Sequence, residues 1–146
     1  MIRTANITDI EAINDMGKLI NHDFSHLNHL SERLDYDYVQ IFVFEENNII
    51  KGFIEIERHF EITDIINIAV LEEYQKSGIA SSLINYVISN IEQKKIMLEV
   101  SENNTKALNF YKKNNFVEIN RRKKYYDNLY DAIIMEREVI WKMFIY

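Results

Sequence analysis

The chain contains no cysteine, which excludes disulfides, thiolate metal sites and a cysteine nucleophile. It also contains no proline. That absence, beside the many Asn, Ile and Lys residues, is a bias of composition without mechanistic content. No apolar run approaches the ~18 residues of a membrane-spanning helix. The opening segment MIRTANITDIEA has no apolar signal region. The expectation is a cytoplasmic protein that does not engage membranes. A net charge of −6 argues against general binding of nucleic acid, whose phosphates call for a basic surface.

What is present is an ordinary globular balance, 47% hydrophobic and 27% charged over 146 residues, enough for one domain with a real core. We expect residues 1–146 to form that single domain, with residues 1–65 as an acceptor-side half, 66–136 as a cofactor-binding and catalytic half, and 137–146 as an apolar tail. Residues 1–70 carry 13 acids against 5 bases, whereas residues 71–146 carry 10 acids against 12 bases. The second half would suit an anionic cofactor and the first a cationic acceptor. Plain solvated surface explains the same numbers.

Periodicity supplies the elements. Residues 1–4 read as a short edge strand. Thr8 and Glu11 have the spacing of a capping box, and Ile10, Ile13, Met16 and Ile20 follow at helical spacing. Residues 39–44 and 49–56 are rich in β-formers around Glu-Glu-Asn-Asn, the pattern of a hairpin, and residues 62–70 make a third strand. Ile79, Leu83, Val87 and Ile91 form a helical stripe, closed by Lys94 and Lys95, whose charge suits a helix C-terminus. Residues 96–100 read as a buried strand and 105–113 as a helix, with Asn104 or Thr105 as N-cap and Asn114-Asn115 as its stop. Residues 116–119 and 132–136 read as strands joined by a basic, tyrosine-rich loop. The expected fold is mixed α+β: a central, twisted, mostly antiparallel sheet flanked by helices.

The chemistry concentrates between residues 66 and 111. A β-branched run ending at Val70 feeds the turn Gln75-Lys76-Ser77-Gly78-Ile79-Ala80, where a helix starts. Free N–H groups and the positive end of a helix dipole suit a pyrophosphate there, and Gly78 permits close backbone approach. A simple strand–turn–helix corner would look the same. Glu99 interrupts an apolar strand, where a charge is costly unless used or paired, although it could also sit on the polar face of a half-exposed strand. Tyr111 could give up a proton in a site or pack in the core.

The order of these pieces resembles the GCN5-related N-acetyltransferases. Gln75 through Ala80 is similar to their Gln/Arg-x-x-Gly-x-Gly/Ala signature. Asn67-Ile68-Ala69-Val70, Leu98-Glu99-Val100, the Asn104, Ala107, Tyr111 spacing and Asp131-Ala132-Ile133-Ile134-Met135 resemble, more narrowly, the RimI-type ribosomal-protein alanine N-acetyltransferases. Residues 120–126, with Arg121-Arg122 and Tyr125-Tyr126, resemble that group's Arg-Arg-x-Tyr-Tyr segment. The resemblance covers residues 66–136. It implies a sheet whose middle strands splay apart at Val70 and Val100 to admit acetyl-CoA. It implies cofactor contacts at Ile68, Ala69 and Val70, at Lys76, Ser77, Gly78, Ile79, Ala80 and Ser81, and at Asn104. It implies Glu99 as the base that deprotonates an amine and Tyr111 as the acid that protonates the departing thiolate, with no metal. Three positions depart from the pattern: Ser101 where Arg is usual, Asn115 before Phe116 where Gly is frequent, and His22-Asp23-Phe24-Ser25 where a Pro-Trp element is usual.

The acceptor implied is a protein N-terminus, such as that of a ribosomal protein. A polyamine or amino sugar is the alternative, and a non-catalytic CoA-binding or protein-interaction module is a further one. His22, His26 and His29, at i, i+4 and i+7, would share one face if a helix ran through them, and suit solvent or the acceptor site better than a metal. The apolar residues 140–146 could add a strand, cover the acceptor groove or make a dimer contact; a monomer and a homodimer are both compatible with the sequence.

Overall fold

In the computed structural model the described residues are 1–139, so the expectations for residues 140–146 lie outside them. Seven strands form one sheet in the order β1-β2-β3-β4-β5-β7-β6. The β1–β2, β2–β3, β5–β7 and β6–β7 pairings are antiparallel, while β4 and β5 run parallel over three residue pairs, Ile62–Lys95 to Asp64–Met97. The mostly antiparallel sheet with flanking helices is the fold expected from the sequence. The chain divides into two compact units, residues 1–58 with 65–91, and residues 59–64 with the described residues from 92 onward.

The first unit holds β1 (Ile2–Thr4), α1 (Ile10–Gly17), the short helices α2 (Phe24–Asn28) and α3 (Leu30–Arg33), β2 (Val39–Glu46), β3 (Ile49–Arg58), the later part of β4 (Ile62–Val70) and α4 (Ile79–Asn90). Strand alternation sorts the core. Val39, Ile41, Val43 and Phe53 cluster with Ile10, Ile13 and Met16 of α1 and with Phe24 and Leu30. Phe42 points the other way, where its ring meets Tyr86 of α4 edge-on. Leu83, Ile84, Val87 and Ile88 supply the buried stripe of α4. The β2–β3 turn is Asn47-Asn48, both with positive φ (53° and 63°), as a two-residue hairpin requires.

Three local expectations are corrected here. The capping box is formed by Asn6 and Asp9, not Thr8 and Glu11. The Asn6 side chain accepts from the Thr8 N–H (3.0 Å), and the Asp9 carboxylate accepts from the Asn6 N–H (2.8 Å). A 3-10 turn at Ile7–Asp9 comes first, and Arg3 forks onto Asp9 at 2.7 and 2.9 Å. His22, His26 and His29 do not share a helix: His26 lies in α2, and His29 has φ 50° and separates α2 from α3. Among the described residues no three His, Cys, Asp or Glu side chains gather as a metal site would require. Helix α4 ends at Asn90 with no basic residue in its last turn, and Lys95 already belongs to the next strand.

The second unit holds the first residues of β4, then β5 (Lys95–Ser101), α5 (Thr105–Lys113), β6 (Val117–Tyr126) and β7 (Tyr130–Glu138). Helix α5 has the predicted bounds. The Asn104 side chain accepts from the Ala107 N–H (3.1 Å) and caps it, and Asn115, with φ 68°, ends it. Asn tolerates this left-handed conformation. The basic, tyrosine-rich segment is not a loop: β6 continues to Tyr126, and the turn to β7 is residues 127–129. No helix among the described residues is long and apolar enough to cross a membrane.

Candidate functional site

The cofactor residues predicted from the sequence lie in the first unit. Ile68, Ala69 and Val70 end β4. Glu72–Tyr74 makes a 3-10 turn, and Gly78 stands at the N-cap of α4. The corner is held by local bonds. Gln75 Nε2 donates to the Val70 carbonyl (3.0 Å), the Ser77 hydroxyl bonds the Tyr74 carbonyl, and the Leu71 N–H donates to the Lys51 carbonyl (2.9 Å). Lys76 and Gly78 both have positive φ, 62° and 88°.

No side chain caps α4, so its first N–H groups are not satisfied by a capping oxygen. Lys76, Ser77 and Gly78 are exposed, and a Cβ placed on Gly78 would meet nothing within 4 Å. A twelve-residue helix with an uncapped, exposed start and a glycine before it can accept a pyrophosphate. Ile79, Ala80 and Ser81 form its first turn, with Ile79 buried.

Gly52 of β3 belongs to the same corner and was not singled out in the sequence. A Cβ there would lie 3.0 Å from Ile79 Cγ2 and 3.2 Å from the Ala69 carbonyl oxygen. A lone glycine inside a strand pattern signals such a close approach. On the other face of β3, Glu55 is fully buried. It accepts from Arg33 Nε (2.5 Å) and from Asn67 Nδ2 (2.8 Å), and Asn67 also reaches the Asn28 side chain (3.1 Å). Asn67 directly precedes the stretch expected to meet the acetyl arm.

Glu99, Asn104 and Tyr111 lie in the second unit. On β5, Ile96, Leu98 and Val100 are buried while Glu99 is exposed. In register, Glu99 faces Ile134 and Ile96 faces Arg137. Arg137 donates to the Asn114 carbonyl at the end of α5 (2.9 Å), so that end of α5 is tied to the face opposite Glu99. Tyr111 is buried, its ring edge-on to Phe110 (5.3 Å) and Phe116 (5.6 Å). Burial pushes its phenol up to about 12, which keeps the proton on at neutral pH. Glu99 is instead brought together with two residues outside the predicted set. Tyr126 Oη donates to Glu99 Oε1 (3.3 Å), and Arg122 Nε lies 3.7 Å from Oε2. No spacing rule joins positions 99 and 126; only strand pairing does.

The first unit offers a helix start able to accept an anion; the second offers a solvent-reachable carboxylate and a buried phenol that stays protonated. Residues 37–118 match the family model described as the acetyltransferase (GNAT) domain. An N-alpha-acetyltransferase of Sulfurisphaera tokodaii is 27% identical over 151 residues, covering 92% of this chain and 90% of that protein. The [ribosomal protein bS18]-alanine N-acetyltransferase of Escherichia coli K12 is 34% identical over 89 residues, covering 52% of this chain and 60% of that protein. A crystal structure of the ribosomal-protein-S18-alanine N-acetyltransferase from Escherichia coli has a TM-score of 0.82 at 24% identity, over 95% of this chain and 93% of that one. An aminoglycoside 6'-N-acetyltransferase complexed with coenzyme A has a TM-score of 0.84 at 13% identity, over 96% and 97%.

Proposed function

Since the chain belongs to the GNAT acetyltransferase family, and is therefore an N-acetyltransferase, we propose that it transfers acetyl from acetyl-CoA to the α-amine of a protein N-terminus. The observation that carries this acceptor is the similarity to an N-alpha-acetyltransferase along nine-tenths of both chains. The shorter stretch of similarity to the bS18-alanine enzyme supports a ribosomal protein as one such acceptor. An α-amine has a reference pKa of about 7.7–8.0, against about 10.4 for lysine, so a single carboxylate is enough help at neutral pH.

In this reading the start of α4, from Lys76 to Ser81, holds the pyrophosphate. Backbone groups of Ile68, Ala69 and Val70 hold the acetyl-pantetheine arm and polarise the thioester carbonyl. Asn104 adds a cofactor contact. Glu99 takes the proton of the ammonium, and the neutral nitrogen attacks the carbonyl carbon. The C–N bond forms and the C–S bond breaks. The new amide nitrogen sheds its second proton to solvent, Tyr111 protonates the departing thiolate and is reprotonated from solvent, and Glu99 passes its proton to solvent, so that one proton is released per turnover. Tyr111→Phe is expected to lower turnover while leaving acetyl-CoA binding nearly intact; an unchanged rate would remove Tyr111 as the acid. Glu99→Gln is expected to hurt most at low pH, where less amine is neutral.

The deciding experiment is CoA release with mass spectrometry of the acceptor. It offers a peptide beginning Ala-Arg, the same peptide with a blocked N-terminus, and a panel of polyamines and amino sugars. Acetylation of the free peptide alone establishes the N-terminal acceptor. Turnover of small amines alone replaces it with the second reading, which the fold likeness to an aminoglycoside acetyltransferase favours.

A further inference from the structure

The contact between Tyr126 and Glu99 is built, not incidental. Strand β6 carries an irregularity: Arg122 faces Ala132 and Tyr126 faces Tyr130, so four steps along β6 match two along β7. Within it Lys124 has φ 49°, and its N–H donates to Asp131 Oδ1 (2.9 Å). Asp131 is buried, also accepts from Arg121 and Lys123, and its own N–H donates to Glu102 Oε1 (3.0 Å). Asp131 therefore ties the bulge to the turn that follows β5, through its carboxylate on the β6 side and its backbone N–H on the Glu102 side. The bulge sets the register at Tyr126, on the same sheet face as Glu99 by alternation. The Tyr126 ring is braced edge-on by Tyr125 (5.2 Å), over which Arg122 lies at 5.4 Å.

An exposed glutamate has three rotatable bonds and samples many orientations. A hydroxyl donating to Oε1 occupies one of about four acceptor positions on the carboxylate, and with Arg122 Nε 3.7 Å from Oε2 there is still room on it for an incoming ammonium. We propose that Tyr126 is a positioning residue for Glu99, its hydroxyl holding the carboxylate in one orientation while the acceptor amine gives up its proton. The inference rests on Glu99 being the base.

The test is a double-mutant cycle with Tyr126→Phe, Glu99→Gln and the pair, assayed with acetyl-CoA and whichever acceptor of the panel above is turned over. Thermal unfolding and coenzyme A binding serve as controls for folding. Tyr126→Phe is expected to lower kcat about tenfold, the size of a lost hydrogen bond to a charged group, with the KM for acetyl-CoA unchanged. In the Glu99→Gln background the same change is expected to cost nothing further, because a residue that acts through another is silent once that other is gone. Asp131→Asn, which weakens the anchor but keeps the phenol, should show part of the same loss. Full activity of Tyr126→Phe, or losses that multiply in the double variant, overturns the positioning role and leaves acetyl transfer and Glu99 untouched. Full activity of Glu99→Gln overturns the base itself and this inference with it. No turnover with any acceptor overturns both this inference and the proposed function.

Discussion

The residue that departs furthest from ordinary surface chemistry is Glu55, a fully buried carboxylate. Arg33 reaches it with Nε and reaches Glu57 with Nη2 (2.6 Å). Removing the cation leaves a charge buried with one amide partner, and breaking such a pair costs about 3–5 kcal/mol. Arg33→Ala should therefore lower the unfolding free energy by about 3 kcal/mol in urea titration. A loss below about 1 kcal/mol would show that water reaches the site. Asp9 behaves differently. Its carboxyl is held below the usual range, first by the Arg3 hydrogen bonds and then by the Asn6 N–H, against an opposing effect of burial. A carboxyl depressed in the folded state adds stability above its unfolded pKa of about 3.9 and loses it as pH falls through the folded value. Asp9→Asn should thus flatten the fall of stability below about pH 4, read as melting temperature against pH.

At the scale of elements, two helix starts carry opposite designs. Helix α5 is capped by Asn104, and Asn104→Ala should cost about 1 kcal/mol, measurable by denaturation. Helix α4 has no side-chain cap and begins at a glycine with φ 88°, the end to which the proposed function assigns the pyrophosphate. Gly78→Ala should strain the left-handed position by about 1 kcal/mol and weaken coenzyme A binding in calorimetry. Unchanged affinity would move the pyrophosphate away from this corner. Local signals were enough to read α5, because its cap, amphipathic spacing and Asn stop lie within twelve residues. They were not enough for β6, whose exposed, charged residues give no apolar alternation. Its strand character comes from pairing with β7.

At the scale of the whole molecule, a ligand that binds only the folded chain stabilises it in proportion to its occupancy. Acetyl-CoA at a hundred times its dissociation constant should add about 2.7 kcal/mol, seen as an upward shift in thermal unfolding that coenzyme A also produces. The absence of any shift with either would remove the cofactor from the proposal. The sequence by itself determined most of the helices and strands, the turn at Gly78 and the family resemblance, because hydrophobic period, capping residues and turn chemistry act between neighbours in the chain. It placed Glu99 on an apolar strand and Tyr111 on a helix without saying what either touches. The tertiary structure decided that Tyr111 is buried between two phenylalanines, that Glu99 meets Tyr126 and Arg122, and that Glu55 is neutralised by Arg33 from a helix 22 residues earlier. Those partners are joined by strand register and packing across long separations, which no local pattern encodes.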